Sequence, residues 1–291
     1  MKTHLAKEAD LPGIAQNALC TIPIGSRFNQ HGLLLDFTKA AGVMMTEAEI
    51  ITDVAWISLT LKQKKGPSIR LLKEIPADVI FDILNKYPET SKSGYTYAGC
   101  LYIPFTRIGL GMLVDPFALV VGMLDIDHYI LNVKLKDVAP TVVLCGVIPE
   151  IDRGPKRPLG EHIRLEKSER SHTTISVENV TELPFGEPNT AMLGYHVDLG
   201  ATGVLDDVEV RFNEELLHDP LTIAQNNYLL HRAGRSPQSG WFDVDFNRKG
   251  SALPVGVATS FRQKFNWSTA PNAYEVYSEM VYDMGAANYI G

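Results

Sequence analysis

The order strand, polar loop, helix, polar loop, strand runs twice along this 291-residue chain, and no other feature of the sequence limits its fold as tightly. In the first half the three elements are Val54 to Leu61, Ala77 to Tyr87 and Tyr97 to Phe105. In the second they are Val204 to Phe212, Thr222 to Arg232 and Trp241 to Phe246. Each half also opens on a proline-glycine corner, Thr21-Ile22-Pro23-Ile24-Gly25 in one and Thr181-Glu182-Leu183-Pro184-Phe185-Gly186 in the other. A strand with an internal aspartate follows each corner, at Leu33 to Phe37 with Asp36 and at Gly194 to Leu199 with Asp198. Proline-glycine corners are common punctuation, but aligned matches in the same order read as a duplicated domain.

The repeated unit is mostly β. Val54 to Leu61, Tyr95 to Phe105 and His128 to Lys136 alternate at least partly between apolar and polar residues, as half-buried strands do, and Thr141 to Ile148 is a continuous apolar run of strand length. In the second half Thr173 to Val177, Met192 to Leu199, Val204 to Phe212, Trp241 to Phe246, Val257 to Phe265 and Tyr274 to Tyr282 carry the same signal. Helical periodicity is confined to Ala77 to Tyr87 and Thr222 to Arg232. Short strands separated by turn residues indicate a sandwich or barrel, and with the duplication the expected fold is all-β, two tandem jelly-roll sandwiches, each with one short helix. The predicted boundaries are an N-terminal arm at 1–17, a first jelly roll at 18–148, a linker at 149–171 and a second jelly roll at 172–291. The linker is placed there because Pro149 to Ser171 trades the strand pattern for prolines and charges.

Composition narrows the function. With 45% hydrophobic residues and 21% charged, the chain has apolar material for two cores. A net charge of -7 gives no cationic field to hold a phosphate backbone, so no direct nucleic-acid partner is expected. Cys20, Cys100 and Cys145 each sit in apolar runs and read as reduced, buried thiols of a protein folded in a cytosol. Met1 to Asp10 has no apolar h-region, so no secretory signal is expected. The apolar stretch Ile108 to Leu124 is broken by Asp115, Pro116 and three glycines, and reads as two buried strands around a turn rather than a membrane span.

A search for chemistry returns little. The sequence has no phosphate-binding loop, nucleophile elbow, zinc helix or C-x-x-C pair, and none of its 8 histidines forms an H-x-H ligand pair, so no catalytic residue and no cofactor is assigned. A lone histidine in such a chain reads as a satisfied surface or core residue. Asp125 and Asp127, and Asp206, Asp207 and Glu209, are the densest carboxylate clusters and the only candidate ligands for a hard cation such as calcium. Both open strands, where exposed turns commonly carry acids. Trp56, Trp241, Trp267, Tyr274, Tyr277, Tyr282 and Tyr289 are candidates either for an assembly interface or for the sandwich cores.

Leu11-Pro12-Gly13-Ile14-Ala15-Gln16-Asn17-Ala18 leading into Cys20-Thr21-Ile22-Pro23-Ile24-Gly25 resembles the start of the corticovirus major capsid protein. Asn226-Asn227-Tyr228-Leu229-Leu230 followed by Trp241-Phe242-Asp243-Val244-Asp245-Phe246 resembles the helix-to-strand passage of its second jelly roll. The charged stretch Pro149 to Ser171 is longer than that family leads one to expect. The resemblance implies a structural protein of a bacteriophage virion rather than an enzyme: a homotrimer of pseudo-hexagonal outline, tiling an icosahedral capsid over an internal membrane after assembly in the host cytoplasm. Its partners would be further copies of itself and minor capsid, penton and membrane-associated virion proteins. The alternative for this fold is a carbohydrate-binding or carbohydrate-active jelly-roll protein, which would present an exposed aromatic platform.

Overall fold

The computed structural model describes residues 2–4, 9–12, 19–24, 28–88, 99–105, 123–136, 141–152, 154–160, 162–172, 175–180, 190–200, 203–246 and 252–282. The chain divides into two compact units, Met1–Leu165 and Glu166–Gly291. The corner at Thr181 to Gly186, Tyr289 and most of Ile108 to Leu124 lie outside the described residues.

The first unit contains β1 (Lys2–His4), β2 (Ala9–Pro12), β3 (Leu19–Ile24), β4 (Asn29–Lys39), β5 (Val43–Met44), α1 (Glu47–Asp53), β6 (Val54–Gln63) and β7 (Ile69–Ile75). It continues through α2 (Ala77–Val79, prolonged as a π-helix over Ile80–Lys86), β8 (Cys100–Pro104), β9 (Ile126–Leu135) and β10 (Val142–Asp152). One sheet runs β7-β6-β9-β3; in the other β10 pairs β4, β4 pairs β8 and β5, and both β1 and β2 pair β10. Alternation along each strand buries one face. Leu33, Leu35 and Phe37 of β4, Ile57, Leu59 and Leu61 of β6, and Tyr129, Leu131 and Val133 of β9 are fully buried. Each such side chain contributes about 1.5–3 kcal/mol of burial free energy.

The second unit holds β11 (His162–His172, which begins at the end of the first), β12 (Ser176–Val180), β13 (Ala191–Asp198), β14 (Val204–Phe212), β15 (Glu215–Thr222), α3 (Ile223–Arg232), β16 (Trp241–Asp245), β17 (Phe261–Thr269) and β18 (Asn272–Tyr282). Its sheets run β12-β17-β14-β15 and β16-β13-β18-β11. Between them lie Tyr195, Val197, Val208, Val210, Phe242, Val244, Phe261, Phe265, Trp267 and Val276. Gly194 is required where β13 meets β16, because a Cβ there would stand 2.4 Å from the Val244 carbonyl oxygen.

Strand for strand, the two units share one topology. The order β3-β9-β6-β7 becomes β12-β17-β14-β15, and β8-β4-β10 becomes β16-β13-β18. The helix follows the same strand in each, and a buried helical asparagine ties it to the next strand. Asn85 accepts from the Tyr102 backbone N–H in β8 at 3.3 Å. Asn226 donates to the Asp243 carbonyl in β16 at 2.6 Å. Such a match of order, pairing and tether confirms the double jelly roll.

Several expectations change. The arm expected at 1–17 contributes β1 and β2, which pair β10, and the first unit carries a second short helix, α1, where one was expected. The stretch 149–171 is not a free linker: β10 extends to Asp152 and β11 occupies His162–His172, where β11 lies beside β18 as β1 and β2 lie beside β10. An outer strand leaves backbone donors and acceptors to be paired, and the chain entering each unit supplies them. The charges of β11 find partners along the strand, as Lys167 does with Glu275 at 2.6 Å. The polar loops before each helix likewise contain the hairpin strands β7 and β15.

Candidate functional site

The carboxylates singled out in the sequence do not converge. In the first unit Asp125 accepts from the Leu159 N–H at 3.2 Å, and the exposed Asp127 pairs with His128 at 2.9 Å. In the second, Asp206 accepts from the Ser268 hydroxyl, Asp207 from the Asn266 amide at 2.5 Å and Glu209 from Arg211 at 2.6 Å. Each acid serves a local loop or cross-strand contact. Among the described residues no group of three His, Cys, Asp or Glu side chains is placed to hold a metal ion. Cys100 and Cys145 are free thiols, and burial together with nearby Asp36 pushes the Cys100 thiol up.

The aromatic candidates divide. Trp241, Trp267, Tyr274, Tyr277 and Tyr282 are buried, and Trp267 packs on Tyr274 with ring centroids 5.1 Å apart. Among the described candidates, Trp56, half-buried on β6, is the one that retains surface. The five buried rings pack inside the second unit.

Among the described residues, the densest electrostatic feature is one the sequence did not single out, on the face of β16-β13-β18 opposite the core. His196 of β13 stands between Asp243 of β16 and Glu279 of β18, with Nδ1 2.6 Å from Asp243 Oδ1 and Nε2 3.9 Å from Glu279 Oε2. All three side chains are at most 2% exposed. Burial alone would push the imidazole down; hydrogen bonds and charge from Asp243 and Glu279 outweigh it and raise the pKa to about 9. A second set of buried polar contacts adjoins it. Asn226, bonded to the Asp243 carbonyl, lies 3.3 Å from His218 Nε2, and His218 Nδ1 is 2.9 Å from the Val208 carbonyl. Arg235 adds a buried pair with Asp245 at 2.6 Å. The arrangement links β14, β15, α3, β16, β13 and β18 through polar contacts. Closed to solvent, it holds charge and register in place.

Residues 168–284 match the family described as viral coat protein P2 C-terminal domain. No curated protein sequence is detectably similar to the chain. Among solved structures, the major capsid protein P2 from bacteriophage PM2 is similar over 99% of this chain and 100% of its own, at 15% identity and a TM-score of 0.77. The STIV MCP is similar over 96% of both chains at 10% identity and a TM-score of 0.61. The PBCV-1 virus capsid is similar over 98% of this chain and 95% of its own, at 10% identity and a TM-score of 0.57.

Proposed function

We propose that this chain, a double jelly-roll viral coat protein with a P2-type C-terminal domain and no enzymatic role, forms homotrimeric capsomers that tile an icosahedral shell over an internal membrane. The observation that carries this reading is the twofold use of one topology in one chain. Three copies of two similar sandwiches present six similar units around an axis, giving a threefold object with a nearly hexagonal outline. Such an outline fills a surface with one kind of lateral contact.

The charge balance supports the membrane. A chain of net charge -7 is poorly suited to line packaged nucleic acid, and lipid between shell and genome removes that requirement. The N-terminal segment Met1 to Gln16, with Lys2 and Lys7, is the part we assign to the membrane side or to a neighbouring capsomer. Minor capsid, penton and membrane-associated virion proteins complete the particle, which assembles in the host cytoplasm.

Electron microscopy of the purified full-length protein tests this reading. The expected images are threefold particles of hexagonal outline, which join into sheets or shells at high concentration or on lipid vesicles. Twofold particles, or none larger than one chain under all conditions, would refute it.

A further inference from the structure

We propose that the outer face of the β7-β6-β9-β3 sheet is a cationic seat for the acidic outer strand β15 of a second copy of this chain. The inference rests on the trimer reading above and specifies how its copies meet. The seat is an open pocket of about 390 Å³ lined by Thr60, Lys62, Ser68, Arg70, Ile130 and Asn132. These residues are gathered by strand pairing, since Thr60 is opposite Arg70 on one side and opposite Ile130 on the other. Lys62 reaches the Ser68 hydroxyl at 2.8 Å. Among the described residues no carboxylate lines the pocket and none is within ion-pair distance of Lys62 or Arg70. The pocket therefore offers two uncompensated cations, hydroxyl and amide groups, and one aliphatic side chain, on a chain whose overall charge is negative.

Its complement lies in the other unit. Strand β15 is at the end of the β12-β17-β14-β15 sheet, so one side of its backbone faces outward. Along it, exposed Glu215 and Asp219 flank Leu216 and Leu217, which are 42% and 41% exposed. No cation pairs with Glu215 or Asp219 among the described residues. Tyr228 of α3, which packs on β15, is 69% exposed. An outer strand carrying neighbouring leucines is an association hazard unless something covers it. Acids on one patch and bases on another, in the same chain, make a head-to-tail contact, and a head-to-tail contact whose rotation is one third of a turn closes into a three-membered ring. Apolar contact from Leu216 and Leu217 would set affinity, and the charges would set register and partner choice.

The test is charge exchange in the full-length chain, read as solution mass by light scattering with the far-UV circular dichroism spectrum as the folding control. Lys62→Glu with Arg70→Glu, and separately Glu215→Lys with Asp219→Lys, are each expected to abolish the three-chain species without changing that spectrum, although loss of assembly lowers the melting temperature. The four substitutions together restore opposite charge across the contact and are expected to recover it. A charge-reversed variant that keeps the three-chain mass, or a fourfold variant that stays dissociated while folded, would overturn the assignment and leave the trimer intact. A single-chain mass for the unaltered protein would instead refute the trimer reading itself. If charge reversal prevents folding, Lys62→Gln with Arg70→Gln carries the same test with weakened association as the expected result.

Discussion

Replacing His196 with alanine is expected to destabilise the second unit by about 3–5 kcal/mol, because it leaves Asp243 and Glu279 buried without their cation. Urea unfolding measures this directly. Adding Asp243→Asn and Glu279→Gln to the same chain removes the stranded charges and should return part of the loss. If the alanine variant unfolds at the same urea concentration as the unaltered protein, the cluster is not ionic.

The same cluster sets a pH dependence whose sign follows from the direction of the shift. The folded pKa of His196, about 9, is above its ordinary 6.5, so the folded state holds the proton more tightly. Its stabilising contribution is full below pH 6.5, declines as pH rises, and is gone above about 9. Unfolding free energy is therefore expected to fall across that window in the unaltered chain, and this part of the slope should be absent from His196→Ala.

Asp53→Ala is expected to have the largest effect in the first unit, about 3 kcal/mol of lost stability by thermal or urea unfolding. Asp53 ends α1 and is 5% exposed. Its Oδ2 accepts from the Thr141 N–H at 2.5 Å, the Thr141 hydroxyl at 2.9 Å and the Val142 N–H at 3.1 Å. Alanine leaves those donors to be resolvated at the start of β10. Asp53→Asn keeps an acceptor oxygen and should lose less; equal losses would show that the acceptor geometry is not what matters.

The strands of both cores were legible because burying one face imposes a period of two, visible from Val54 to Leu61 and from Val204 to Phe212. The duplication was legible for the same reason, since equal topologies repeat equal patterns. What escaped has particular causes. Strands β7 and β15 carry charges on solvent-facing positions, so IRLLKEI and ELLHDPLT blend into polar loops. Helix α1 is only 7 residues long, too short for periodicity to register, although Thr46 and Glu49 form a capping box that a start-signal search would have caught. Strand β11 owes its form to a neighbouring strand and not to its own alternation.

The ionic cluster was the least legible feature. His196, Asp243 and Glu279 lie far apart in sequence, and only the register of β16-β13-β18 brings them together. Taken alone, His196 reads as a satisfied surface or core residue, and its partners were not recoverable from spacing. The reverse applies to Asp206, Asp207 and Glu209, whose closeness in sequence suggested a site but whose side chains serve separate contacts along β14. Sequence proximity on a strand sends neighbouring side chains to opposite faces, so it is weak evidence for convergence.

The most direct measurement is the solution mass of the purified full-length protein by light scattering. The capsomer account predicts a stable species of three times 32.2 kDa across a wide concentration range. A species of one chain at every concentration would contradict it.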